Sequence, residues 1–452
     1  MTNRPAPFPR LRLRRAGSLL DLPWELPLAD WPSNLAFRVL PVGPSRHLVR
    51  FLVVDGRLIA LKEEPTDVAE REYAALGHLE RVGLPAVTPI GIAHQPEPGT
   101  AILVTDYLEH SLQFRRLLSR FPLGPGAYRD KLLDAMAWLL VDLHRGGVFW
   151  GDCSLANTLF RRDGDRIQAF LVDAETAEVH PSLSDGQRAF DLEILVENVG
   201  FGLADVAMLQ DRAEDLDDAV AASENVRDRY DAIWRELHLE PQLPAGDRHA
   251  IRTQIRRLNE LGFAADEIEV VPAAEGNDVR LRVTTTNRDF HAHELERLTG
   301  LRTLEGQARL LLNDLREYVA WLRLRSRRRI TEEAGARRWR RDILEPTLRR
   351  LRRYLRGRDV IQAYCDVLEH KWLLSERTGR DVGLGAAIDA YLEVGAPAPE
   401  LPPPDRLPVA ATEAGTADPA AESREAADPI ELDVAGVELG AGDPDLTNAR
   451  GD

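Results

Sequence analysis

Cysteine and long apolar runs are scarce in this sequence of 452 residues, and each shortage excludes a class of protein. Two cysteines, Cys153 and Cys365, are too few for a disulfide framework or a cysteine-rich zinc site. No run approaches the roughly 18 apolar residues of a membrane span, and the N-terminal residues lack the apolar core of a signal peptide. We therefore expect a cytoplasmic protein without a transmembrane segment.

Lysine is also rare, because Lys62, Lys131 and Lys371 are the only lysines among 58 Lys and Arg residues. A chain that uses arginine for ordinary surface charge makes each lysine a candidate for a role that needs a compact ammonium group.

Acidic residues outnumber basic ones by 74 to 58, and the net charge of −16 disfavours a general nucleic-acid binder. The charge is uneven: residues 323–358 contain 15 arginines and four acids, whereas residues 405–452 contain 12 acids and three arginines. The basic segment has two interpretations, namely helices with a solvated basic face, or a surface for an anionic partner such as RNA or acidic lipid. The sequence contains no motif that reads DNA sequence.

Hydrophobic periodicity divides the chain into segments and predicts an α+β protein. An irregular lead-in rich in Pro and Arg covers 1–32. Short apolar runs in 33–105 predict the order β-β-β-α-β-β, with Thr66 as the helix cap. Helices dominate 106–240, including one from 112 to 119 and one opening at Asp191, and a linker lies at 241–246. Residues 247–395 are predicted to form a mainly helical domain with a β-hairpin and the arginine-rich helices, and the acidic tail 397–452 is predicted to be disordered.

Lys62 and Glu72 form the first candidate pair. Lys62 ends a predicted strand, where a point charge suits the phosphate oxygens of a nucleotide, although a solvated cation is the alternative. Glu72 shares the inward face of the next predicted helix with Val68 and Leu76. A buried carboxylate is costly unless it is paired, so Lys62 is the expected partner. The alternative for Glu72 is a boundary residue with its carboxylate in water.

Three further polar residues follow in a defined order. Asp152 and Asn157 lie five residues apart in a loop after a long predicted helix, and Asp173 ends a later strand. Phosphoryl transfer needs a carboxylate that orients the acceptor hydroxyl, oxygen ligands for Mg²⁺, and a lysine that holds the phosphates. The order of these residues along the chain therefore indicates a phosphotransferase.

The segment LHRGGVFWGD, which ends at Asp152, and the following CSLAN resemble the catalytic loop of the protein-kinase-like superfamily. The motif is most similar to the lipopolysaccharide kinase-like branch (Kdo/WaaP) and to an uncharacterised bacterial kinase-like family with an appended C-terminal domain of unknown function. The resemblance covers residues 35–240. It implies a two-lobed fold, with a β-rich N-lobe at 33–105 and a helical C-lobe at 106–240, and it implies ATP and Mg²⁺ as cofactors.

The same resemblance implies a role for each matching residue. Lys62 is the strand lysine and Glu72 its helix partner. Asp152 is the catalytic aspartate. The implied metal ligands are Asn157 and Asp173, and the hinge that pairs with adenine is Asp106, Tyr107 and Leu108. Asp191 is either the aspartate that supports the catalytic loop or an ordinary helix cap.

Departures from the kinase pattern limit what the resemblance implies. The loop PVGPSR at 41–46 has one glycine where kinases carry a glycine-rich motif, and Asp173-Ala174-Glu175 replaces Asp-Phe-Gly. Glu175 is either a further metal ligand or a loop acid, and Cys153 is either a reactive thiol or, as favoured here, a packing residue. The short segment between Asp173 and Asp191 leaves little platform for a peptide.

Three functions remain from the sequence. The leading one is an ATP- and Mg²⁺-dependent phosphotransferase acting on a hydroxyl of a small molecule, of a glycan- or lipid-linked acceptor, or of the chain itself. The second is a catalytically silent kinase-like scaffold. The third is an adaptor that binds an anionic partner through 323–358.

Overall fold

The computed structural model describes residues 9–15, 17–40, 46–95, 99–118, 126–238, 242–244, 247, 249–254, 268–272, 278–283, 290–325, 330–355 and 357–396. The predicted glycine-poor loop at 41–45, the turn at 96–98, part of the linker, the tip of the C-terminal hairpin and the tail from 397 lie outside these residues. Two compact units make up the chain. The first unit contains 1–162 and 167–286, and the second contains 163–166 and 287–452.

A six-stranded antiparallel sheet opens the first unit. Its strands are β1 (Arg10–Leu13), β2 (Phe37–Arg38), β3 (Leu48–Val54), β4 (Arg57–Pro65), β5 (Pro89–His94) and β6 (Thr100–Asp106), in the spatial order β1-β5-β6-β4-β3-β2. Helix α1 (Thr66–Arg81) connects β4 to β5. The predicted β-β-β-α-β-β order after residue 33 is therefore confirmed.

The described part of the lead-in, residues 9–15 and 17–32, contains a strand and two short 3₁₀ helices, so the prediction of an irregular segment is wrong there. Strand β1 pairs with β5, with Arg10 opposite His94. The side chains of Trp24 and Trp31 are buried, and their rings meet edge to face with centroids 5.2 Å apart. The alternating Arg-Leu-Arg-Leu of β1 is a period-2 signal that the high proline and arginine content of this segment obscured.

Three predicted helix starts also need correction. Pro65, not Thr66, occupies the cap position of α1, and no side chain caps this helix. The residues Leu112 and Gln113 form a short strand, β7, so helix α2 covers only Phe114–Leu118. The helix predicted to open at Asp191 begins six residues earlier, where Ser184 Oγ accepts a hydrogen bond from Gln187 N.

Helices and small sheets complete the first unit after β7 and α2. They are α3 (Ala127–Arg145), β8 (Val148–Phe149), β9 (Thr158–Asp163), β10 (Arg166–Leu171), β11 (Glu178–Val179), α4 (Asp185–Leu209), α5 (Leu216–His238), β12 (Gln242–Pro244), β13 (Ile268–Pro272) and β14 (Asp278–Val283). One face of α3 is apolar and buried, with Met136 and Leu140 fully inaccessible to solvent. Burial of this stripe fixes the end of α3, and hence the loop that carries Asp152.

The described part of the second unit is mainly helical apart from the turn at 163–166. Its helices are α6 (Phe290–Thr299), α7 (Glu305–Arg325), α8 (Glu332–Trp339), α9 (Glu345–Arg352), α10 (Val360–Thr378) and α11 (Leu384–Glu393), and a π-helical segment, Arg340–Leu344, joins α8 to α9. In the arginine-rich segment, Trp339 and Leu351 are buried, whereas Arg337 and Arg352 are exposed. Within the described parts of the chain, no helix has the length and apolar character to cross a membrane.

Candidate active site

Lys62 lies on β4, in the middle of the large sheet, with Val49 and Leu103 as its neighbours on the adjacent strands. Within the described part of the chain, four carboxylates surround its Nζ atom. The distances from Nζ are 2.7 Å to Glu72 Oε2, 2.9 Å to Glu64 Oε2, 3.1 Å to Asp173 Oδ1 and 3.9 Å to Glu175 Oε2. We call these five residues the Lys62 cluster.

Glu72 connects the sheet to the segment after Asp173. Its side chain is buried, and while Oε2 contacts Lys62, Oε1 accepts a hydrogen bond of 3.2 Å from the backbone N–H of Ala174. The contact predicted between Glu72 and Lys62 is therefore confirmed, and the solvated alternative for Glu72 is wrong.

The acid groups of the Lys62 cluster are not fully compensated. Burial raises the pKa of Glu72 to about 8, Lys62 opposes this shift, and Asp173 and Glu64 add to it. Burial also raises the pKa of Glu64. Burial alone would lower the pKa of Lys62, but Glu72, Asp173 and Glu64 outweigh it and raise the pKa of Lys62. Both Lys62 and Glu72 thus hold protons more tightly, because one ammonium group faces several carboxylates.

Asp152 and Asn157 contact each other in the loop between α3 and β9. Asn157 Nδ2 donates to Asp152 Oδ2 at 3.0 Å and to its backbone oxygen at 3.3 Å. The backbone oxygen of Asn157 accepts from Val172 N at 3.1 Å, immediately before Asp173. Thr176 Oγ1 donates to the backbone oxygen of Trp150 at 2.8 Å. These bonds tie the Asp152 loop to the segment that contributes to the Lys62 cluster.

Asp191 holds the start of the same loop. Its buried carboxylate accepts hydrogen bonds from the backbone N–H groups of Trp150 at 2.7 Å and Gly151 at 2.8 Å, and from Cys153 Sγ at 3.1 Å. His144 Nε2 lies 3.0 Å from the carboxylate, and His144 Nδ1 lies 2.7 Å from Tyr230 Oη. We call these residues the Asp191 cluster. Asp191 therefore supports the loop, and the helix-cap alternative is wrong.

Gly151 shows why this loop needs a glycine. Its φ is +79°, a conformation that other residues rarely adopt, and an added Cβ would lie 3.1 Å from the backbone oxygen of Thr176. Cys153, two residues later, is buried. Burial, followed by the nearby charge of Asp191, raises the pKa of its thiol, so the thiol stays protonated and fits the packing interpretation.

The segment Asp106–Leu108 follows β6. Its backbone N–H groups donate within the protein, from Asp106 to Thr88 O at 2.9 Å and from Tyr107 to Leu58 O at 3.1 Å. The Asp106 carboxylate lies 3.2 Å from Arg57 and from Arg15. The role of this segment in adenine binding stays a prediction.

Glu64 and His47 are the polar residues near Lys62 that sequence reasoning missed. Glu64 lies two residues beyond Lys62, and this spacing places both side chains on one face of β4. In the pairing of β3 with β4, Leu48 lies opposite Glu63. Extending this register by one residue places His47 opposite Glu64. The His47 ring contacts Glu175, with Nε2 3.1 Å from Oε2. The period of two was the available signal for Glu64.

Comparison with known protein families finds a match for two parts of the chain. Residues 60–211 match the lipopolysaccharide kinase (Kdo/WaaP) family, and residues 232–394 match a domain of unknown function, DUF4032. The chain therefore carries a Kdo/WaaP lipopolysaccharide kinase family domain followed by a DUF4032 domain, and the resemblance noted in the sequence is confirmed.

Two further comparisons were made with curated proteins and with solved structures. No curated protein matches the chain. Among solved structures, WaaP in complex with acyl carrier protein is similar, with 20% sequence identity, a TM-score of 0.32, and coverage of 50% of this chain and 99% of that chain.

Proposed function

We propose that the chain is an ATP- and Mg²⁺-dependent phosphotransferase with a two-lobed kinase-like fold over 33–240. It would transfer the γ-phosphoryl group to a hydroxyl of a small molecule, of a glycan- or lipid-linked acceptor, or of the chain itself. The observation that carries the proposal is the contact of Lys62 with both Glu72 and Asp173, at 2.7 and 3.1 Å. This arrangement holds a lysine and an acidic metal ligand together in one half-buried site.

The donor atoms of the site fit Mg²⁺ and a nucleotide. The amide nitrogen of Asn157 donates a hydrogen bond to Asp152. The amide oxygen would therefore serve as a ligand beside the carboxylate of Asp173. Oxygen ligands are those that Mg²⁺ prefers, and bound Mg²⁺ neutralises charge on the transferred phosphoryl group. Lys62 would hold phosphate oxygens, and Asp106, Tyr107 and Leu108 would contact the adenine.

We assign Asp152 to the activation of the acceptor hydroxyl. Its carboxylate would orient the attacking hydroxyl and accept the proton, and its hydrogen bond with Asn157 fixes it beside a metal ligand. Asp191 would act on Asp152 through the backbone of Trp150 and Gly151. Both cysteines are buried and free, as expected in the reducing compartment that the low cysteine content predicts.

Nucleotide binding and turnover test this proposal. Mg-ATP binding and ATP turnover are measured for the wild type and for Lys62→Ala, Asp152→Asn and Asp173→Ala. We expect Asp152→Asn to keep Mg-ATP binding and to lose turnover by about 10²–10⁴-fold, because it lacks the proton acceptor. Lys62→Ala and Asp173→Ala should weaken Mg-ATP binding itself.

Matched controls separate these losses from general damage. Lys131→Ala removes another of the three lysines, and Asp185→Asn removes an exposed aspartate at the start of α4; both should keep wild-type turnover. Absence of Mg-dependent ATP binding in the wild type would overturn the proposal. Binding without any turnover that depends on Asp152 would favour the catalytically silent scaffold, to which the lack of a glycine-rich motif also points.

A second function concerns the arginine-rich segment. Arg350 pairs with Asp389 and Arg340 pairs with Glu345, whereas Arg337, Arg338 and Arg353 are exposed. Exposed arginines on packed helices can bind an anionic partner, with RNA or acidic lipid as the candidates. Salt-dependent binding to RNA or to anionic vesicles, lost in Arg337→Glu/Arg338→Glu, would support an adaptor role.

A further inference from the structure

Beside Lys62, three side chains from separate parts of the first unit converge. His47 precedes β3, Glu64 lies near the end of β4, and Glu175 lies two residues after Asp173. One ligand atom from each lies within 4.8 Å of the others, and His47 Nε2 is 3.1 Å from Glu175 Oε2. One imidazole nitrogen and two carboxylates are a donor set typical of a divalent metal.

Glu64 has the least ordinary environment of the three. Its side chain is fully buried, and Oε2 forms an ion pair with Lys62 Nζ at 2.9 Å. Among the described residues, the side chains of Lys62 and Glu72 are the groups placed to hydrogen-bond with this carboxylate. A buried carboxylate that shares one ammonium group with three other carboxylates is costly, so a further cation beside Glu64 would stabilise it.

Charge points in the same direction. The four carboxylates around Lys62 are opposed by Lys62 and by Arg46, which lies 3.7 Å from Glu175 and is 83% exposed. With all groups ionised, the formal excess is two negative charges, and with Glu72 protonated, as its pKa of about 8 favours at neutral pH, the excess is one. Lys62 is nearer to Glu72 and Glu64 than to Glu175, at 2.7, 2.9 and 3.9 Å, so Glu175 is the carboxylate that it compensates least.

We propose that His47, Glu64 and Glu175 bind a divalent transition-metal cation, separate from the Mg²⁺ expected at Asn157 and Asp173. Ligand atoms on one ion stand roughly 3–4 Å apart for metal–ligand distances of about 2.1 Å, so small side-chain rotations would complete the set. The imidazole favours Zn²⁺ over Mg²⁺, which prefers oxygen ligands, and the two carboxylates also suit Mn²⁺. The cation would link the sheet to the segment after Asp173. This binding does not depend on phosphotransferase activity.

Mn²⁺ is the probe for this site. The full chain, freed of metal by a chelator and without nucleotide, is titrated with MnCl₂, free Mn²⁺ is followed by electron paramagnetic resonance, and nitrogen coupling to bound Mn²⁺ is measured by pulsed methods. We expect a bound Mn²⁺ with nitrogen coupling, because among the described residues this is the group of potential metal ligands that includes an imidazole. The variant Asn157→Ala alters the expected Mg²⁺ site and should keep the coupling.

Substitutions of the ligands test the assignment. His47→Ala should abolish the nitrogen coupling, and Glu64→Gln and Glu175→Gln should each weaken Mn²⁺ binding by about tenfold or more. The control is His94→Ala, since His94 Nε2 also lies near a glutamate, 2.7 Å from Glu70, and this variant should bind Mn²⁺ as the wild type does. Circular dichroism verifies that each variant is folded. If His47→Ala does not fold, Glu64→Gln and Glu175→Gln test the site in its place.

Two outcomes would overturn the inference. One is wild-type protein that binds Mn²⁺ without nitrogen coupling, which would place the ion on oxygen ligands alone. The other is coupling that persists in His47→Ala. Either result leaves the phosphotransferase proposal intact, because that proposal depends on Mg-ATP turnover and its loss in Asp152→Asn.

Discussion

Lys62 and Asp191 each lie at the centre of a buried polar cluster in the first unit, but the two clusters are balanced differently. The Asp191 carboxylate accepts hydrogen bonds from two backbone N–H groups and a thiol, and the His144 ring lies beside it. In the Lys62 cluster four carboxylates compete for one ammonium group. A balanced cluster stabilises a loop, whereas an unbalanced one retains excess negative charge, which favours a cation beside it.

The largest effect is expected at Asp191. Asp191→Ala leaves the N–H groups of Trp150 and Gly151 buried without their acceptor, so the free energy of unfolding should fall by about 2–6 kcal/mol. Urea unfolding measures it, with Asp185→Asn on the same helix as the control, because Asp185 is exposed. A loss no greater than that of the control would mean that the cluster does not stabilise the loop.

The pH dependence of Glu72 is the next largest effect. Its pKa is raised from 4.5 to about 8 by burial, so between these values the folded state binds the proton more tightly than the unfolded state. Stability should therefore decrease as pH rises from 4.5 to 8, with a slope of up to about 1.4 kcal/mol per pH unit.

Urea unfolding at several pH values measures this slope. Glu72→Gln should reduce it, because glutamine does not titrate, whereas the raised pKa of Glu64 remains. Glu80→Gln, a change of an exposed glutamate on the same helix, should keep it. An unchanged slope in Glu72→Gln would assign the pH dependence to another group.

His144 should give the opposite pH dependence, and a smaller one. Burial lowers its pKa from 6.5, and the hydrogen bond with Asp191 only partly opposes this. Below pH 6.5 the unfolded state therefore binds the proton first, and stability should decrease as pH falls, by less than about 1.4 kcal/mol per unit. The difference in unfolding free energy between the wild type and His144→Gln should shrink from pH 7 to pH 5. A constant difference over that range would contradict the prediction.

The smallest effect is expected for Glu64. Glu64→Gln removes one of the four like charges around Lys62, and we expect metal-free protein to gain about 0.5–2 kcal/mol in unfolding free energy. The measurement is urea unfolding in the presence of a chelator at pH 8. At this pH the other three carboxylates are more fully ionised and repel the Glu64 carboxylate more strongly than at lower pH. A clear loss of stability would show that the ion pair of Glu64 with Lys62 outweighs this repulsion, and the contrast with the Asp191 cluster would weaken.

Much of the candidate site could be predicted because its signals are local. The period of α1 sets Glu72 on the buried face, and the cost of a buried charge identifies Lys62 as its partner. The predicted order of the strands and α1 also follows from short-range patterns. The lead-in was misread because its contribution to the sheet depends on pairing between Arg10 and His94, which are far apart in sequence.

The sequence by itself determined the unequal distribution of charge, indicated the family of the first domain, and identified the candidate site residues Lys62, Glu72, Asp152, Asn157 and Asp173, whose roles stay predictions. Only the tertiary structure decided that Asp191 supports the loop rather than caps a helix, and that His47, Glu64 and Glu175 meet beside Lys62. The reason is that periodicity reports which face of an element is buried. Which charges share that buried space depends on how distant segments pack, and the balance of charge there exists only in the folded chain.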